Sequence, residues 1–103
     1  MSVARVDAAQ LAAQLAAGEV EVVDIRDALS FQAGHIPGAR HLTNDTLRDF
    51  LDSTARDRPL VVCCYHGHSS VGAAAFLQEQ GYTRVASLDG GFEGWRWHHP
   101  VAR

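Results

Sequence analysis

Strand and helix signals alternate along this chain, and that alternation restricts the folds open to it more than any other feature. Val20, Val22, Val23 and Ile25 form a β-branched run that predicts a buried strand closing on Asp24-Ile25-Arg26. Leu60-Val61-Val62-Cys63-Cys64 is a second strand of the same kind, Val85 to Leu88 a third, and Ala39 to Leu42 a short one. Helix signals lie between them. Asp7 is a natural N-cap for a helix with Leu11 and Leu15 on one face and Gly18 past its end. Ala28 to Ala33 reads as one short helical turn, followed by the turn cluster Gly34-His35-Ile36-Pro37-Gly38. Thr43 or Asn44 is expected to cap the next helix, with Asp45 in its first turn and Leu47, Phe50 and Leu51 on one face. Ser70 to Gln80 predicts a helix that stops at Gly81, and its alanines suit close packing on a sheet. Asp89-Gly90-Gly91 is a turn, and Phe92 to Trp97 a short closing helix. Such alternation implies an α/β fold, a parallel sheet with helices on both faces.

Length and composition bound the rest. A chain of 103 residues, 47% of them hydrophobic, is expected to form one domain over residues 1–103 with a core of its own. A net charge of −3 without a basic patch makes nucleic acid an unexpected partner. All nine cationic residues are arginine, which excludes a Schiff-base lysine and a phosphate loop of the GK[ST] type. Met1 to Gln10 lacks a charged start followed by an apolar run, and no stretch is long enough to span a bilayer, so no membrane role is expected. The two cysteines, Cys63 and Cys64, are adjacent. Neighbours on a strand point to opposite faces, so they are poorly placed to share a metal, and a vicinal disulfide is strained. Free thiols fit a reducing compartment, and a cytoplasmic location is expected.

Cys64 ends a buried strand and runs into Tyr65-His66-Gly67-His68-Ser69-Ser70, where a helix begins. Its sulfur is therefore expected at the carboxyl edge of the sheet, where ligands bind in such folds. The amides of residues 65 to 70 can curl around it with the helix N-terminus aimed inward, an arrangement that stabilises an anion and lowers a thiol pKa. Gly67 permits the turn this requires. Cys63 reads as a small core hydrophobe. Core strands do not usually run into so polar a segment, which separates Cys64 from that reading.

The other polar residues carry weaker signals. His66 and His68 flank the loop glycine and add partial positive charge if they face its mouth. No zinc-type spacing appears among the six histidines, so no metal and no cofactor are expected. Asp24 and Arg26 read as an ion pair that closes a strand end, since a thiolate held by amides needs no separate base. His35 reads as support for a turn, Ser69 and Ser70 as N-cap residues whose hydroxyls can also touch the sulfur or the substrate, and Trp95 and Trp97 as core closers.

Several segments resemble the rhodanese family, specifically its short, single-domain GlpE type. These are Val22-Val23-Asp24-Ile25-Arg26, Gly34-His35-Ile36-Pro37-Gly38-Ala39, His41-Leu42-Thr43-Asn44-Asp45-Thr46-Leu47, Cys64-Tyr65-His66-Gly67-His68-Ser69-Ser70 and Asp89-Gly90-Gly91-Phe92-Glu93-Gly94-Trp95. Together they extend over nearly the whole chain. The family loop typically has Asn where this chain has His68. The resemblance implies a rhodanese-like fold with about five strands and a thiosulfate sulfurtransferase activity. It also implies Cys64 as the catalytic residue, and Tyr65, His66, Gly67, His68, Ser69 and Ser70 around the substrate. The sulfur donor would be thiosulfate, and the acceptor cyanide or a thiol, including one on a thioredoxin-like protein.

Two other readings use the same cysteine. A persulfide carrier would relay sulfur to a protein partner instead of acting on free thiosulfate. A Cys-dependent phosphatase or arsenate reductase would need an arginine to grip the oxyanion. Ser69 and Ser70 stand in the corresponding positions, so no arginine closes a Cys-x5-Arg frame.

Overall fold

The computed structural model describes residues 2–103. Ten elements follow one another: β1 (Ala4–Val6), α1 (Ala8–Ala16), β2 (Glu21–Asp24), α2 (Ala28–Ala33), β3 (Arg40–His41), α3 (Leu47–Ser53), β4 (Leu60–Cys63), α4 (Ser69–Glu79), β5 (Val85–Leu88) and α5 (Gly91–Trp95). The strands form one parallel sheet in the order β1-β5-β4-β2-β3. The alternating pattern anticipated this architecture.

Two apolar layers sandwich the sheet. Val22, Val61, Cys63 and Leu88 pack on one side with Leu11 of α1 and with Phe92 and Trp95 of α5. Val23, Leu60, Val62 and Val85 pack on the other with Phe50 of α3 and with Ala74 and Leu77 of α4. Side chains alternate between faces along a strand. Cys63 therefore lies under α1 and α5, while Cys64 turns toward α4.

Local chemistry explains most of the boundaries. Asp7 caps α1 through a reciprocal pair of bonds: its carboxylate accepts from the Gln10 amide at 2.8 Å, and the Gln10 side chain accepts from the Asp7 amide at 2.8 Å. Asp27 caps α2 by accepting from the Ser30 amide at 3.0 Å. The cap expected at Thr43 or Asn44 is not formed, and Asp45 is not in the first turn. Thr43 and Thr46 instead bond each other's amides, at 2.9 and 3.3 Å, which closes a turn ahead of the helix. The helix starts only at Leu47, with Asp49 in its first turn. Ser69 and Ser70 are not caps either, because α4 already includes both behind His68. Trp95 closes the core, with its indole donating to the Pro100 carbonyl at 2.8 Å, whereas Trp97 is exposed. β1 was not placed by the sequence. It is a three-residue edge strand with two exposed side chains, held mainly by backbone pairing to β5.

The strand order sets the site's position. The chain leaves β2 toward β3 and leaves β4 in the opposite direction, toward β5. Such a divergence opens a crevice at the carboxyl ends of the two strands. Asp24 pairs with Cys63 across that edge, so Arg26 and the Cys64 loop emerge side by side. Among the described residues no helix is long and apolar enough to cross a membrane.

Candidate active site

Cys64 directly follows β4, and the chain then curls back on its sulfur. The Gly67 amide donates to Sγ at 3.2 Å and the Ser70 amide at 3.3 Å. The Ser70 hydroxyl lies 3.2 Å from the same sulfur. The last two donors sit in the first turn of α4, so the helix N-terminus is aimed at the sulfur. Burial of Cys64, only 3% exposed, raises the thiol pKa. The Ser70 hydroxyl and amide, with the amides of Gly67 and His66, outweigh it and hold the pKa below that of an ordinary thiol. Cys63 moves the opposite way: burial pushes its thiol pKa up, and the Asp24 carboxylate adds to that rise. One residue apart, the two thiols have pKa values shifted in opposite directions.

The loop depends on the segment 89–91. Gly67 has φ +92°, and a Cβ there would come within 3.0 Å of the Gly90 amide nitrogen. Gly91 has φ +58°, and a Cβ would lie 2.5 Å from the Tyr65 carbonyl oxygen and 2.6 Å from that of Cys64. The bare backbone at Gly91 lets α5 approach so closely that the Phe92 amide donates to Cys64 O at 2.8 Å and the Glu93 amide to Tyr65 O at 3.0 Å. The Asp-Gly-Gly turn therefore carries a second task. It holds down the carbonyls of the loop while the loop's amides face the sulfur.

A buried ion pair braces the other side. Arg26 donates to both carboxylate oxygens of Asp24, at 2.8 to 3.1 Å, and to the Gly34 carbonyl at 2.7 Å. Its guanidinium lies 4.1 Å from the Phe92 ring centroid. Arg26 thus connects the end of β2, the end of α2 and the residue that anchors Cys64. His35 supports its turn through a bond between Nδ1 and the Phe31 carbonyl at 2.8 Å.

The remaining loop residues occupy distinct positions. Tyr65 is 40% exposed, and its hydroxyl donates to the Asp27 carboxylate at the start of α2. His66, His68 and Ser69 are exposed around the mouth. A cavity of ≈ 450 Å³ opens beside the loop between Arg26, Tyr65, Phe92 and Arg96; Cys64 does not line it. Two contributors were missed by the sequence reading. Asp27 pins Tyr65, and Ser87 on β5 lies 2.7 Å from the Ser70 hydroxyl. A signal for Ser87 was present: it is a serine in the strand Val85–Leu88, two residues from Val85, which packs on the α4 side. Among the described residues no group of three or more His, Cys, Asp or Glu lies close enough to hold a metal.

The lowered Cys64 pKa gives an expected pH dependence. Iodoacetamide should modify Cys64 with a midpoint below that of an unperturbed thiol, and leave Cys63 unmodified in the folded chain. The midpoint is the informative quantity, because a nearly buried sulfur reacts at a rate also limited by access. A midpoint at or above that of a model peptide thiol would contradict the amide cradle.

A parallel α/β sheet whose strand-to-helix loop turns its amides onto a cysteine sulfur defines a class of cysteine-loop domains. The chain matches the rhodanese-like domain over residues 7–97. It is 54% identical over 96 residues to a protein of Stutzerimonas stutzeri named thiosulfate sulfurtransferase GlpE, covering 93% of this chain and 87% of the relative. A protein of the same name from Tolumonas auensis is 50% identical, with 93% and 91% covered. The crystal structure of a rhodanese-related protein from Thermoplasma volcanium superposes with a TM-score of 0.82 at 26% identity, covering 96% of this chain and 97% of that one. The chain belongs to the rhodanese family.

Proposed function

We propose that the chain is a thiosulfate sulfurtransferase, acting as a single rhodanese domain, with Cys64 as its nucleophile. The Cys64 thiolate attacks the outer sulfur of thiosulfate, the S–S bond breaks, and sulfite leaves with its electron pair. A persulfide remains on Cys64. A thiophilic acceptor then attacks the outer sulfur and restores the thiolate. Cyanide leaves as thiocyanate, and a thiol leaves as its own persulfide. The covalent intermediate divides one difficult transfer into two displacements.

The observation that carries this reading is the convergence of the Gly67 amide, the Ser70 amide and the Ser70 hydroxyl on a single sulfur. These donors are in place before reaction and suit a sulfur that is anionic before the first displacement and again after the second. Oxyanion chemistry of the phosphatase kind finds less support. The loop 64–70 holds no arginine, and Ser70 is fully buried against the sulfur instead of reaching for a ligand. Gly67 and Ser70 thus stabilise sulfur, while Tyr65, His66, His68 and Ser69 frame the approach of donor and acceptor. A thiol on a thioredoxin-like protein fits an acceptor that must reach a sulfur at the bottom of an open loop. A reducing, cytoplasmic setting suits a chain with two free thiols.

Intact mass tests the proposal. After incubation with thiosulfate the protein should gain one sulfur atom, located on Cys64 by peptide mapping and lost on addition of cyanide. An unchanged mass, or a sulfur mapped to Cys63, would sink it.

A further inference from the structure

We infer that Ser87 is a positioning residue for the sulfur chemistry, because its buried hydroxyl orients the Ser70 hydroxyl as a donor to Cys64. The inference rests on the reading of Cys64 as the reacting sulfur. Ser70 Oγ has two polar neighbours, Cys64 Sγ at 3.2 Å and Ser87 Oγ at 2.7 Å. A hydroxyl has one proton to donate and can accept at its lone pairs. If Ser70 gave its proton to Ser87, it would turn a lone pair toward an anionic sulfur. If Ser87 donates to Ser70, the Ser70 proton is left for the sulfur.

Burial selects between the two. Ser70 and Ser87 are both 0% exposed, so water satisfies neither. Among the described residues Ser70 Oγ is the hydrogen-bond partner of Ser87 Oγ, and no second one is present. A buried donor without an acceptor is costly. Both hydroxyl protons find acceptors in a single arrangement, in which Ser87 donates to Ser70 and Ser70 donates to a sulfur without its own proton on that line. With the thiol proton placed between Cys64 and Ser70, one hydroxyl proton is stranded. The chain of two serines therefore favours thiolate over thiol, and its outer member touches no substrate. Ser87 acquires this role from the fold: β5 lies next to β4, with Val62 paired to Ser87.

The test is the pH dependence of Cys64 alkylation by iodoacetamide in a double-mutant cycle, with thermal melting to verify folding. Ser87→Ala should raise the midpoint by about half a unit, which slows alkylation below the midpoint about threefold. In a Ser70→Ala background the same substitution should shift nothing, since its effect is transmitted through that hydroxyl. Ser87→Thr, which keeps the hydroxyl, should restore the parent midpoint. An unshifted midpoint in Ser87→Ala, or an equal shift in both backgrounds, would overturn the inference. So would a Thr variant displaced as far as the Ala variant. Should Ser87→Ala fail to fold, the Thr variant and the Ser70→Ala single variant decide: the inference requires a parent midpoint in the first and a raised one in the second. Sulfur loading of the parent protein from thiosulfate is read separately by mass. Failure of the proposed activity would appear there and leave the alkylation result interpretable.

Discussion

Cys64→Ser should fold like the parent chain, take up no sulfur from thiosulfate, and lose turnover by at least about 10⁴-fold, the scale of loss when a covalent nucleophile is removed. Serine nearly preserves the side chain's shape, and its oxygen can occupy the cradle of the Gly67 and Ser70 amides. It supplies no thiolate near neutral pH. Cys63→Ala is the matched control. Its sulfur packs among Val22, Val61 and Leu88 on the opposite face of the sheet, so the change should cost about 1–2 kcal/mol of stability through a small cavity. Activity should stay within a few-fold of the parent. Steady-state rates with thiosulfate and cyanide, beside urea unfolding of both variants, separate the two effects. An active Cys64→Ser with a dead Cys63→Ala would reverse the assignment.

The second large effect is on stability. Arg26→Met should destabilise the fold by about 3–5 kcal/mol, because it leaves the Asp24 carboxylate buried without its cation. Asp24 and Arg26 have side-chain exposures of 0% and 4%, so solvent cannot take the place of the lost partner. The substitution also removes a donor from the Gly34 carbonyl and the guanidinium from the Phe92 ring. For a domain of this size the loss amounts to a fall in melting temperature on the order of 15 °C or more. Asp24→Leu combined with Arg26→Met should recover much of it, since removing both charges also removes their desolvation cost. Urea unfolding of the single and double variants measures this. A single variant within 1 kcal/mol of the parent would show that the pair does not hold the strand ends.

The brace explains why a reading of Asp24 and Arg26 as an ion pair was accessible while its reach was not. Two opposite charges at the end of an apolar strand announce a pair. That the same guanidinium also meets Gly34 and Phe92 depends on α2 and α5 converging on the crevice beside β4. The helix boundaries tell a similar story. The reciprocal cap at Asp7 is a local matter of three residues, legible in order. The cap expected at Thr43 or Asn44 failed because the two threonines satisfied each other first.

By itself the sequence determined the alternation of strands and helices, the glycines where the backbone turns left-handed, and the single cysteine placed where a buried strand runs into a polar loop. These are properties of near neighbours: period, side-chain volume, a cap, a missing Cβ. The tertiary structure alone decided which distant groups meet. It placed β1 on the sheet through backbone pairing that leaves almost no trace in side chains. It brought Gly91 against the carbonyls of Cys64 and Tyr65, and sent the Tyr65 hydroxyl to Asp27. It also set Ser87 behind Ser70, seventeen residues away in the chain, within hydrogen-bonding distance at 2.7 Å. Such contacts arise from strand order, and strand order follows from how whole layers bury their apolar faces, which no local stretch of residues encodes.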